Sequence, residues 1–131
     1  MCRDFWSLTD YDDAFDPEHV LAMVREAHAH QLLVVLSIDD NLCGFVAGIA
    51  MPLLGNGSVT QVTELAYWIN PKQQKRGLGI ELLGGLETAA RAIDAKYLNM
   101  ISLEAVYPEV ANRIYQRQGF TRIETVWRKE L

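Results

Sequence analysis

Apolar and polar positions fall along the chain in blocks that read as separate elements. The first opens at Asp16-Pro17-Glu18, which offers a capping side chain, a proline for the first helical position and an acid for the first turn. Val20, Leu21, Val24 and Ala27 then recur at helical spacing and predict a helix to about Ala29. Two runs of β-branched and apolar residues follow, Gln31 to Ile38 and Leu42 to Met51, joined by Asp39-Asp40-Asn41. A third run, Val59 to Ile69, stands beyond Pro52 to Ser58, where Gly55-Asn56-Gly57 carries the Asn-Gly hairpin signal. Three antiparallel strands in series are expected.

Leu78 to Ala95 returns to a helical period, with Leu78, Leu82, Leu83, Leu86, Ala89, Ala90 and Ile93 on one stripe. Gly84-Gly85 inside it costs about 1 kcal/mol per glycine relative to alanine. Either another element approaches closely there or the helix tolerates the pair; tolerance is the preferred reading. Leu98 to Val106 reads as a strand, Pro108 opens a helix to Gln118 that Gly119 closes, and Phe120 to Arg128 reads as a last strand. The economical architecture is a mixed α+β sheet, mostly antiparallel, with helices across its faces.

A length of 131 residues fits one domain over residues 1–131, and 50% hydrophobic with 22% charged residues is a globular balance. Cys2 and Cys43 form neither a disulfide framework nor a metal-ligand spacing, so no metal is expected and a reducing cytoplasm is the simplest home. No apolar run nears the roughly 20 residues that span a bilayer, and the N-terminus lacks the pattern of a signal peptide. The net charge of −5 argues against nucleic acid as a partner. The acids crowd into the first seventy residues, where only Arg3 and Arg25 oppose them, leaving the rest of the chain net positive. This suits an anionic cofactor and a cationic substrate, although two solvated faces are the plainer account.

The sharpest local feature lies between the longest strand and the most amphipathic helix, at Ile69-Asn70-Pro71-Lys72-Gln73-Gln74-Lys75-Arg76-Gly77-Leu78-Gly79-Ile80. Gly77 and Gly79 permit a tight turn with close backbone approach, while the first N–H groups of the helix are unpaired and favour an anion. Lys75 and Arg76 add positive charge. The run satisfies neither the Walker loop nor the dinucleotide fingerprint, which would need a small residue where Leu82 stands.

Gln74-x-x-Gly77-x-Gly79 does resemble the pyrophosphate loop of the GNAT superfamily of N-acetyltransferases. The resemblance extends upstream to Ile69-x-Pro71 and downstream to Tyr115-x-x-x-Gly119-Phe120, with Ala111 four residues before the tyrosine. It covers about residues 32–131. It implies a GNAT-like fold in which backbone groups of Trp68 and Ile69 bond the pantetheine arm. The N–H groups of Gln74, Lys75, Arg76, Gly77, Leu78, Gly79 and Ile80 would hold the pyrophosphate of acetyl-CoA. Tyr115 would stand near the cofactor sulfur and protonate the departing thiolate.

Acetylating an amine needs a base, and Glu64 is the candidate. Simple alternation places it on one strand face with Val62, Ala66 and Trp68, whose apolar surroundings would raise its pKa. A base role for one histidine is the alternative, but His28 and His30 sit where a helix C-terminus favours positive charge, which accounts for them more simply. Tyr107, Trp68 and Trp127 read as core or sheet-face aromatics.

Two departures from the family pattern stand out. Pro108 occupies the position where many members carry an asparagine, and residues 1–16 leave little room for the usual opening strand and helices. If the first strand is missing, the edge formed by Gln31 to Ile38 is open, and a homodimer would cover it. The chain therefore reads as an acetyl-CoA-dependent N-acetyltransferase acting on a primary amine by direct attack on the thioester. The rivals are a non-catalytic CoA-binding protein of the same fold and a nucleotide-binding protein of another.

Overall fold

The computed structural model describes residues 1–131, with every side chain except those of Lys75 and Arg76. A short helix α1 (Cys2–Trp6) is followed by irregular chain and then by α2 (Pro17–Ala29). The Asp16 carboxylate accepts from the N–H groups of Glu18 and His19 at 3.0 and 3.1 Å, so the predicted cap is formed. Ala27 is the buried residue of α2, which packs on the first two strands.

Strands β1 (Leu33–Ile38), β2 (Asn41–Leu53) and β3 (Asn56–Ile69) run antiparallel in series, as expected. Asp39 and Asp40 turn the first hairpin with φ of 49° and 62°, the left-handed pair whose twist matches the strands. The second hairpin turns at Leu54-Gly55, ahead of the Asn-Gly pair, with Leu53 opposite Asn56. The Asn56 side chain is taken up locally instead, accepting from the Ser58 N–H and hydroxyl at 3.1 and 2.7 Å.

Helix α3 (Leu78–Ala92) carries the chain across to β4 (Tyr97–Asn99), which lies parallel to β3 and completes a sheet of order β1-β2-β3-β4. Leu82 and Leu86 of α3 are fully buried against Leu32, Val46 and Val62. The glycine pair in α3 divides. A Cβ at Gly85 would stand 2.9 Å from Val34 of β1, so close approach accounts for Gly85, whereas Gly84 faces open space. The helix ends three residues before the expected Ala95 because Asp94 turns left-handed at φ 57°.

Three expectations fail after α3 or within β3. The strand expected over Leu98 to Val106 pairs only through Asn99, because the Ile101 N–H is drawn out of the ladder to the Glu64 carboxylate at 2.9 Å. Helix α4 (Pro108–Arg117) forms as expected, but Phe120 to Arg128 forms no strand, leaving Val126 and Trp127 exposed. The three-residue β4 offers it little edge to join.

Alternation also breaks inside β3. Ala47 pairs with Ala66 but Gly48 pairs with Glu64, so Leu65 is an extra residue, a β-bulge. Glu64 and Val62 consequently share the α3 face with Tyr67 and Ile69, not with Ala66 and Trp68. Trp68 turns to the opposite face, where its ring centroid is 6.5 Å from that of Phe45. The mixed sheet flanked by helices is the expected α+β architecture, with β1 as its outer strand.

Candidate active site

β4 pairs with β3 only at Gln61, Val62 and Thr63. From Glu64 to Ile69 the outer side of β3 therefore has no strand partner among the described residues. The Asn70 N–H bonds the Cys43 carbonyl at 2.8 Å, and antiparallel alternation from that pair turns the backbone groups of Trp68 and Ala66 toward β2. The amides and carbonyls of Tyr67 and Ile69 face the gap. Of the two residues expected to meet an extended amide ligand, Ile69 is so placed and Trp68 is not. Tyr67 takes its place.

At one end of this gap stands the start of α3. Pro71–Arg76 forms a 3₁₀ turn capped by Asn70, whose side chain accepts from the Lys72 N–H at 3.0 Å. Gly77 follows at φ 74° with open space around it, which a glycine adopts without strain. Gly79 is there for proximity, since a Cβ would lie 2.5 Å from the Tyr67 hydroxyl. No side chain among the described residues caps α3, so the N–H groups of Leu78 and Gly79 are free to meet an anion, whereas the N–H of Ile80, also expected there, is taken by the Gly77 carbonyl at 3.1 Å. The charges expected from Lys75 and Arg76 lie outside the described residues.

A cavity of about 270 Å³ joins these parts, with Gln74, Gly77, Gly79 and Ile80 on one side and Glu64, Tyr67 and Tyr115 on another. Glu64 is 5% exposed, and burial pushes its pKa up to about 7, with the hydrogen bond from Ile101 opposing the rise. That bond occupies Oε2. Oε1 has no protein partner among the described residues. The Tyr115 hydroxyl donates to the Ile101 carbonyl at 3.0 Å. Burial, and then the charges of Glu64 and Tyr67, push its pKa far above the usual phenol range, so it keeps its proton.

Tyr67 was not singled out by sequence, yet it lines the cavity with a buried hydroxyl that has no partner among the described residues. Burial and the Glu64 charge push its pKa up to about 12. Only the bulge at Leu65 brings it round, and no residue type announces that bulge. The histidines stay away from the cavity, His30 pairing with Glu26 at 2.9 Å on the exposed end of α2. Among the described residues no cluster of His, Cys, Asp and Glu has the makings of a metal site.

A buried carboxyl beside an open strand edge and an uncapped helix start is the arrangement implied by the sequence resemblance. The model of the acetyltransferase (GNAT) family matches residues 2–120. The chain belongs to the GNAT acetyltransferase family. No curated protein matches its sequence. Among solved structures, AAC(6')-Iy in complex with a CoA bisubstrate analogue shares the fold at a TM-score of 0.75 and 16% identity, covering 100% of this GNAT chain and 88% of the other. An acetyltransferase of Trypanosoma brucei aligns at 0.69 and 18% identity, covering 97% and 87%. A transcriptional regulator from Bacillus halodurans aligns at 0.75 and 14% identity, covering 98% and 91%. No helix of the described residues is long and apolar enough to cross a membrane.

Proposed function

We propose that this GNAT chain is an acetyl-CoA-dependent N-acetyltransferase that acetylates a primary amine. The observation that carries the reading is Glu64, a carboxyl held near neutrality in a cavity bounded by the open β3 edge and the free N–H groups of α3. The residues present fit acetyl-CoA. Backbone groups of Tyr67 and Ile69 would bond its amide-containing arm, and the turn at Gly77 to Gly79 would hold its pyrophosphate, as the solved complex of AAC(6')-Iy with a CoA analogue makes reasonable.

Bound acetyl-CoA supplies a thioester carbonyl open to attack. Glu64 takes a proton from the substrate ammonium, directly or through water, freeing the nitrogen lone pair to form the new C–N bond. Tyr115 would give its hydroxyl proton to the sulfur that keeps the electron pair as the C–S bond breaks, and the second proton lost from the acylated nitrogen would restore the phenol. Because Glu64 must be ionised to act, kcat/KM rises with pH through about 7. Pairing through the open β1 edge makes the working form a homodimer.

The test is isothermal titration with acetyl-CoA, using ATP and NAD as controls, followed by turnover with a panel of amines. Selective acetyl-CoA binding with turnover supports the enzyme. Binding without turnover of any amine favours a non-catalytic CoA-binding protein, and absence of binding to folded protein overturns the reading.

A further inference from the structure

Among the described residues Tyr115 and Glu64 share no hydrogen bond, yet both are bonded to one residue. Ile101 gives its N–H to Glu64 Oε2 at 2.9 Å and receives the Tyr115 hydroxyl on its carbonyl at 3.0 Å. Ile101 lies two residues beyond β4, in chain with no helix or strand ladder of its own to fix its orientation. Those two bonds come from two elements that line the cavity, Glu64 on β3 and Tyr115 on α4. They hold the backbone of Ile101 between them.

We propose that Tyr115 is a positioning residue for the general base: by holding the Ile101 carbonyl, its hydroxyl fixes the Ile101 N–H on Glu64 Oε2 and leaves Oε1 directed to the incoming amine. This rests on the reading of Glu64 as the base and adds a task to the one proposed for Tyr115 in thiolate departure. The hydroxyl holds Ile101 in the resting protein and gives up its proton only as the C–S bond breaks. Among the described residues, the other titratable groups facing Glu64 are the phenols of Tyr67 on β3 and Tyr115 on α4, both of which keep their protons. Ile101 is thus the group that favours the ionised carboxylate, and loosening it disfavours that form.

Tyr115→Phe keeps the buried ring and removes the hydroxyl, so it separates the two tasks. Titration of the Glu64 side-chain carboxyl by carbon NMR, assigned by its loss in Glu64→Gln, is expected to show a midpoint about one unit higher in Tyr115→Phe, the size of a weakened hydrogen bond to a charge. The acidic limb of the pH-rate profile moves up with it. A role in thiolate departure alone lowers kcat on the plateau and leaves the midpoint in place. An unchanged Glu64 midpoint in folded Tyr115→Phe overturns the positioning role while leaving the base assignment standing. In the unaltered protein, the Ile101 amide proton resonance is expected to titrate with the Glu64 midpoint. An Ile101 amide that ignores that titration also overturns the proposal, whether or not the variant folds.

Discussion

Glu64 couples the stability of the molecule to its chemistry. Its ordinary pKa of 4.5 is raised to about 7 by burial, so the folded state holds its proton more tightly than the unfolded chain does. The stabilisation from that proton is complete below pH 4.5 and is lost as pH rises toward 7, amounting to about 3 kcal/mol at 1.36 kcal/mol per unit. Glu64→Gln presents a neutral amide at every pH. We expect the difference in unfolding free energy between this variant and the unaltered protein to move in the variant's favour by about that amount across the window. Urea denaturation of both proteins at a series of pH values measures it, and parallel stability curves would remove the buried-carboxyl argument. The same variant should lose most of its turnover, the trade expected where a functional group sits in an unfavourable environment.

At the level of elements, the β3-to-α3 turn separates backbone tolerance from charge. Gly77 has φ 74° and room for a side chain, and asparagine and aspartate are the residues other than glycine that best accept that conformation. Gly77→Asn and Gly77→Asp should therefore fold alike while differing by one negative charge beside the free N–H groups of α3. Acetyl-CoA should bind Gly77→Asp about tenfold or more weaker than Gly77→Asn, a difference of about 1.4 kcal/mol. Equal affinities by titration would mean that no pyrophosphate sits there. This turn was readable from sequence because its glycines stand for a left-handed φ and a close approach. Helix α2 was readable because Asp16 and Pro17 each have a local task at a helix start. The bulge at Leu65 was not, since no glycine or proline marks it, and its consequence was a wrong face for Trp68 and a missed Tyr67. The tail from Phe120 to Arg128 carries a strand pattern, but a strand exists only where a partner offers an edge, and residue pattern says nothing of that.

The molecule as a whole leaves β1 open. The sheet runs β1-β2-β3-β4, and the outer side of β1 presents six residues, Leu-Val-Val-Leu-Ser-Ile, without a proline or a charge to discourage pairing. Val35 is half exposed on it. Strand edges of this kind are ordinarily blunted by charge, covered or paired, and a two-fold pairing of β1 with its copy joins two sheets into one while satisfying the unpaired backbone groups of both. Sedimentation velocity at micromolar concentration should therefore show a dimer. Val35→Lys puts a charge on that edge without touching the α3-facing core around Leu82 and Leu86, so it should yield a folded monomer with its acetyl-CoA affinity retained. A monomer before any substitution, or a dimer that survives Val35→Lys, would mean that the β1 edge is not where two copies meet.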